Sequence, residues 1–474
     1  MRRTKILATL GPASDSPDVL EAMIRAGVDA VRLNFSHGTA AEHTRRVEAV
    51  RAAAGKVGKD IGVIADLQGP KIRIERFAKG PVTLKEGAQF TIDAELDPDA
   101  GDENRVGIAY KSLPDDVTAG DRLLLNDGQI VMAVERVDGP RIVSRVEVGG
   151  ELSNNKGVNR AGGGLSAVAL TDKDRADIKT AAKLGVDYVA VSFPRDADDI
   201  ELARKLVREA GGQAGIIAKI ERQEAVANIE SIIGVSDVVM IARGDLAVEI
   251  GDAELPGVQK RIIHMTRDMN RVAITATQMM ESMISSPVPT RAEVLDVANA
   301  VIDGTDVVML SAETAAGKYP VKVVEAMARV CVGAEGQRIT PLSRRRREAR
   351  VERVDEAIAL AAMYTADHVD AKAIVALTES GSTALWMSRV RSGIPIYAMT
   401  RHDTTRRRVT LYRGVYPVPF DVLHSDSDHV LQSAAEELER LGDVKPGDIA
   451  IFTKGDMAGV TGGTNSMKIM RVGE

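Results

Sequence analysis

The stretch DIGVIADLQGPKIRIE, residues 60–75, starts as one kind of chain and ends as another. An apolar run closes on Asp66, which reads as a strand buried on both faces. A Gly69-Pro70 step then turns the chain, and two cations, Lys71 and Arg73, follow two residues apart. Upstream, strand and helix patterns alternate. TKILATLG (4–11) reads as a strand and DSPDVLEAMIRAG as a helix capped by Asp15 or Ser16, followed by the strand DAVRLNFS (29–36) and the helix AAEHTRRVEAVRAAAGKVG. After Asp66 the alternation stops for about 100 residues, far longer than a strand–helix loop. It resumes with the helix TDKDRADIKTAAKLG and the strand VDYVAVSF (186–193). Four more units follow, with strands AGIIAKIE (214–221), SDVVMIARG (236–244), RVAITATQ (271–278) and TDVVMLSAE (305–313). Alternation implies a parallel sheet, and eight units are the count that closes a (β/α)8 TIM barrel. A doubly wound open sheet would need no particular count, so the count favours the barrel.

The interruption is strand-like. EGAQFTIDAEL, DRLLLNDGQIVMAVERV and PRIVSRVEVGG are joined by Asn-Asp-Gly and Val-Asp-Gly-Pro turns. They predict a small β-barrel lid domain inserted after the third barrel strand, over the strands' C-terminal ends. Beyond the barrel, Arg344 to Arg347 stand in a row, read as a linker or interface segment. From residue 354 a second set of strands and helices predicts a C-terminal open-sheet α/β domain. The expected division is a barrel of 1–69 and 166–340, a lid of 70–165 and a third domain of 341–474.

Composition bounds the function. The 474 residues are 44% hydrophobic and 27% charged, which suits a globular chain of about three domains at roughly 150 residues each. Aromatics are only 3%, so Ala, Val, Ile, Leu and Met must fill the core. A net charge of -6 argues against nucleic acid and anionic membrane as partners. The single cysteine, Cys331, excludes an intrachain disulfide and a cysteine metal cluster. No apolar run suits a signal peptide or a transmembrane helix, so the expected location is cytoplasmic.

In a barrel of this kind, chemistry sits where strands end. The second strand ends Arg32-Leu-Asn34-Phe-Ser36, with Arg32, Asn34 and Ser36 expected on one face. The third ends in Asp66 and the fifth in Lys219-Ile-Glu221. The sixth runs into Arg243-Gly244-Asp245, the seventh ends Thr275-Ala-Thr277-Gln278, and the eighth ends Ser311-Ala-Glu313. Seven of these side chains are charged and are expected to converge on one rim. Converging Glu221 and Asp245 need a partner, because a buried charge costs several kcal/mol unless paired. Lys219 could be that partner, or a hard cation such as Mg2+ or Mn2+. Arg32, Arg73, Lys219 and Arg243 would then suit a multiply charged anion, most naturally phosphate. No P-loop or dinucleotide fingerprint is present, and AGGGLS (161–166) and TGGTNS (461–466) read as turns.

The motifs TKILATLGPAS, VRLNFSHG, DLQGPKIR, NNKGVN, AKIE, ARGDLAVEI, ATQMMESM, PTRAEVLDVANAV and DGTDVVMLSAETAAGKYP resemble those of the pyruvate kinases over nearly the whole chain. The resemblance implies phosphoryl transfer from phosphoenolpyruvate to ADP, giving pyruvate and ATP, usually in a homotetramer. It implies Glu221 and Asp245 as divalent-metal ligands and Lys219 on the transferring group. Arg32, Gly244, Asp245 and Thr277 match the phosphoenolpyruvate side, and Asn34, Arg73 and Lys156 the nucleotide side. Thr277 and Ser311 are candidates to relay a proton to the enolate. Asn34, Ser36 and Asp66 match a monovalent-cation site. Where many relatives read D-T-K-G-P-E-I-R, this chain has Leu67 in place of threonine and Lys71 in place of glutamate. A lysine ammonium there would supply the charge of a potassium ion, so activity is expected not to require K+. Ala247 and Ala312 replace glycines of the pattern, two small changes read as tolerated.

In the third domain, Thr378, Ser380, Gly381, Ser382 and Thr383 stand where a strand meets a helix, a setting that suits a phosphorylated effector. Glu379 argues for a sugar monophosphate or AMP over a bisphosphate. Two other classes fit parts of the pattern: a scaffold that has lost catalysis, and a Mg2+-enolate lyase or aldolase. The first should show gaps among the ligands, and none is missing. The second does not explain the lid or the third domain.

Overall fold

Eight short strands close a parallel barrel: Lys5–Thr9, Ala30–Asn34, Gly62–Asp66, Tyr188–Val191, Gly215–Ile220, Val238–Ala242, Val272–Ala276 and Val307–Leu310. Each pairs with its sequence neighbours, and the first pairs with the eighth, Lys5 opposite Val307. The computed structural model describes residues 1–337, 351, 353–390, 392–421, 429–456 and 462–474. The expected boundary near 340 and the run Arg344 to Arg347 lie outside the described residues.

Local sequence explains where the helices start and stop. Thr171 and Asp174 form a capping box for the helix Asp172–Leu184, and Gly185 at φ +60° ends it. Thr290 and Glu293 do the same for Arg291–Asp303, with Gly304 behind. In the first helix, Pro17–Ala26, Ser16 holds the N-cap position without a side-chain bond; Asp15 instead pairs with Arg46. Asp174 has a second task. Its Oδ1 accepts the Gly69 N–H at 3.0 Å, fixing the point where the chain leaves the barrel for the lid. Gly69 has φ +64°, and a Cβ there would stand 2.8 Å from the Ser192 Cβ, so the turn needs glycine.

The lid is a curled six-stranded sheet with its own core of Phe90, Ile92, Leu123, Leu125 and Met132. Along Ile130–Asp138 buried and half-exposed side chains alternate, as one covered face demands. Asn126, Asp127 and Gly128, all at positive φ, make the tight connection before it. The third domain is a five-stranded sheet in the order Val415–Pro419, Ile396–Thr400, Ala373–Leu377, Ile449–Gly455, Thr464–Arg471, with only the last strand antiparallel.

Inside the barrel Leu7, Ile64, Tyr188, Ile217, Met240, Ile274 and Met309 pack together, joined from below by Leu411 of the third domain. Ion pairs ring this base. Arg389 makes a two-pronged contact with Asp306, both fully buried, and Arg51 and Arg407 share Asp187. Among the described residues no helix is long and apolar enough to cross a membrane.

Candidate active site

At the opposite end of the barrel, the strand ends bring a chain of charges together. Lys219 lies at its centre, 8% exposed. Its Nζ is 2.9 Å from Glu221 Oε1, 3.2 Å from Asp66 Oδ1 and 2.6 Å from Ser192 Oγ. Lys219 and Glu221 are two apart along one strand and its end, so the pleat delivers them to the same face. Asp66 passes the charge on to Arg32, whose Nε is 2.5 Å from Asp66 Oδ2. Burial alone would raise the Asp66 carboxyl, but Arg32 and Lys219 outweigh it and hold it below the usual range. Burial would likewise lower Lys219, yet Asp66 and Glu221 keep it above its ordinary value, firmly an ammonium. Glu221 moves the opposite way from Asp66. Burial pushes it up to about 7, and Asp245 and Asp66 add to this against the pull of Lys219.

Two features of this cluster have no strong sequence signal. Ser192 follows the fourth strand and also donates to the Leu67 carbonyl at 2.8 Å. Phe193, at φ +55°, aims its N–H at Glu221 Oε2, 2.8 Å away. The strand-end rule, applied to VDYVAVSF, points to Ser192; nothing in the sequence marks the backbone of Phe193.

Asp245 lies in the first turn of the helix Arg243–Ile250. Lys71 Nζ stands 3.0 Å from its Oδ1. Lys71 therefore faces Asp245 rather than Asn34, Ser36 or Asp66, the set expected around one cation. Ser36 is not on the strand: the second strand ends at Asn34, whose Oδ1 accepts the Ser36 N–H in a turn. Leu67 is buried in the apolar layer outside the barrel strands and offers no side-chain oxygen.

The expected convergence of seven charges fails at two of them. Arg243 turns away, paired with Asp296 at 2.7 Å and bonded to the carbonyls of Ala276 and Thr277. Glu313 accepts the N–H groups of Met280 and Ser311. Both residues lie in helices that begin where the strands stop, so the two-residue alternation no longer governs their direction. Their effect is to build the floor of the site. Thr277 sits at φ +69°, a costly conformation for a β-branched residue, and the Arg243 guanidinium grips its carbonyl. The Thr277 hydroxyl donates to the Ala276 carbonyl and accepts the Gly244 N–H at 2.8 Å. Ser311 precedes a short helix at the end of the eighth strand.

The lid reaches the rim through its exit strand. Arg73 bridges to Gly157, its guanidinium donates to the Asn155 carbonyl, and the Ile74 N–H donates to the Lys156 carbonyl. Arg73 and Lys156 thus lie on adjacent segments at the lid base. In the third domain, the Thr378 hydroxyl accepts the Gly381 N–H, while Ser380 and Ser382 share a hydrogen bond. Thr383 is buried against Thr464 and turned inward. Glu379 faces His402 and Arg401, so its charge is partly answered. Of the TGGTNS loop, Thr461 lies outside the described residues.

The donor set fits a hard divalent cation. Glu221 and Asp245 offer carboxylate oxygens, the ligand type such a cation prefers. Among the described residues no group of three or more His, Cys, Asp and Glu gathers in a way that could hold a metal ion.

A barrel with a lid inserted at its strand ends, and with a lysine, arginine and carboxylates on its rim, fits a phosphotransferase. The sequence model for the pyruvate kinase barrel domain matches residues 1–324, and that for the pyruvate kinase alpha/beta domain matches residues 356–470. The chain belongs to the pyruvate kinase family. It is 54% identical to pyruvate kinase II of Salmonella typhimurium over 100% of this chain and 99% of the relative. It is 52% identical to the Haemophilus influenzae pyruvate kinase over 96% of both. The crystal structure of a pyruvate kinase from Cryptosporidium parvum is similar, with a TM-score of 0.92 and 34% identity over 99% of this chain and 96% of that one.

Proposed function

We propose that the protein transfers the phosphoryl group of phosphoenolpyruvate to ADP, giving pyruvate and ATP. The observation that carries this is Lys219, a fully protonated ammonium anchored by Asp66, Ser192 and Glu221 at the rim. Held there without freedom to reorganise, it stabilises the charge of the transferring group and of the enolate left behind. Arg32 orients the substrate phosphate and Arg73 the nucleotide phosphates, with Asn34 and Lys156 on the nucleotide side. The Gly244 backbone and Thr277 hydroxyl receive the carboxylate end by exchanging their present bonds to Thr277 and Ala276 for the substrate. Glu221 and Asp245 hold Mg2+ or Mn2+, which when bound neutralises phosphoryl oxygens. Thr277, with Ser311 and water, relays the proton to the enolate carbon; a hydroxyl is too weak an acid to be its source. Lid closure over the rim excludes water that would compete with ADP. A lactate-dehydrogenase-coupled assay tests the reading: pyruvate must form only when ADP, phosphoenolpyruvate and the divalent metal are all present. Pyruvate formed without ADP would instead mark a lyase or hydrolase.

Three finer readings go with it. Lys71 supplies a fixed positive charge beside Asp245, so activity is independent of K+; a many-fold rise on adding K+ to Mg2+ buffer free of monovalent metals would sink this. The loop of Thr378, Ser380, Gly381, Ser382 and Thr383 takes an activating monophosphate, a sugar monophosphate or AMP; activation by fructose 1,6-bisphosphate alone counts against it. The working form is a homotetramer in the cytoplasm, which light scattering checks for subunit number.

A further inference from the structure

We propose that Arg222 is a positioning residue that ties the return hinge of the lid to the carboxylate of Glu221, so that lid position and metal affinity change together. The inference rests on the reading of Glu221 as a metal ligand. Its starting point is AGGGLS, residues 161–166, a run with no role in the chemistry above. Gly162, Gly163 and Gly164 have φ of +84°, +72° and +88°, three consecutive residues in a region that side chains avoid. They lie where the chain returns from the lid strand Val158–Arg160 toward the barrel helix Asp172–Leu184. Three such residues in a row form a swivel.

The swivel is latched by the residues that follow Glu221. Arg222 is 3% exposed, and its guanidinium donates to Leu165 O at 2.6 Å, Ala167 O at 3.3 Å and Phe193 O at 3.5 Å. The first two carbonyls belong to the hinge. The third belongs to the residue whose own N–H holds Glu221 Oε2. One planar fork therefore spans the lid's return and the support of the carboxylate, a task that needs several donors in a fixed plane. Glu224 completes the latch by accepting the Gly164 N–H, and a Cβ on Gly163 would stand 2.9 Å from its Oε1. Movement of the hinge carbonyls must release or drag the fork, and with it Phe193 and Glu221.

The test uses the full-length enzyme and Mn2+ alone as probe, without substrates. Mn2+ binding by electron paramagnetic resonance is compared for wild type, Arg222→Lys and Gly163→Ala, with amide hydrogen exchange at 160–167 and Tm recorded alongside. Arg222→Lys replaces the fork with one ammonium and is expected to weaken Mn2+ about tenfold, in the range for residues supporting a metal ligand, while exchange in the hinge speeds up. Gly163→Ala perturbs the swivel without touching a metal ligand and is expected to weaken Mn2+ several-fold with Arg222 intact. In steady state both raise the KM for ADP more than they lower kcat, where a purely structural loss lowers active-enzyme concentration and leaves KM alone. Mn2+ binding within twofold of wild type in the folded variants overturns the proposal, and if one variant fails to fold the other decides. Wild-type enzyme that binds Mn2+ but makes no pyruvate refutes the activity instead, and the Mn2+ comparison still stands.

Discussion

The two ends of the barrel treat charge in opposite ways. At the base, each acid is matched: Asp306 by Arg389, Asp187 by Arg51 and Arg407. Leu411 stops the bore with a side chain from another domain. At the rim, Lys219 is shared by two carboxylates, and burial raises Glu221 to about 7. Paired charge at the base holds domains together, whereas perturbed charge at the rim is an invitation to a ligand. In a parallel barrel, the end at which a strand starts reads as stability and the end at which it stops reads as chemistry.

Mutations at the two ends should fail differently. Arg389→Met strands Asp306 unpaired in the interior and should cost about 3–5 kcal/mol, seen as a large fall in Tm, with the activity of the remaining folded protein kept. Lys219→Met should do the reverse, lowering kcat about 10²–10³-fold with a smaller fall in Tm, because Asp66 keeps its bond to Arg32. If Arg389→Met proved mainly a kinetic defect, the division between the ends would be wrong. Leu411→Ala leaves a cavity below Ile64 and Tyr188 and should cost about 2–3 kcal/mol, less than the broken ion pair, because the domain boundary can close partly over it.

The last expected effect, confined to a narrow window, sharpens the contrast by pH. Glu249, beside the lid hinge, accepts the Gln223 N–H, and burial pushes its carboxyl up to about 7 from 4.5. A carboxyl raised in this way is protonated in the folded chain but not in the unfolded one between those values. Its contribution to stability is therefore fully present below about 4.5 and lost as pH rises to about 7. Relative to Glu249→Gln, the wild type should lose on the order of 3 kcal/mol across that window, read as diverging Tm curves in metal-free buffer. Parallel curves would assign Glu249 an ordinary carboxyl.

Much of this contrast is open to the sequence. The eight strands declare themselves by short apolar runs, and Lys219-Ile-Glu221 by alternation, because both are local rules. Arg243 and Glu313 are misplaced by that rule, since a strand's alternation lapses one residue after the strand does, and a single sequence does not mark that residue. Ser192 carries no charge to attract notice among apolar neighbours. Lys71 stands out in the sequence, but its partner does not, because Asp245 lies on a distant helix. AGGGLS reads as a turn; only the folded molecule brings Arg222 to its carbonyls. Leu411 is beyond reach entirely, being an ordinary apolar residue in sequence and a stopper in space.

That stopper also sets an order of events during synthesis. Leu411 is made only about 100 residues after the last barrel strand, which at roughly 5–20 residues per second is a wait of about 5–20 seconds. For that time the base of the barrel lacks Leu411. A protease pulse on stalled chains should cut the barrel readily before residue 411 emerges and poorly after, and equal resistance would mean that the ring sets without its stopper. The last domain made is thus also the one that declares the first complete.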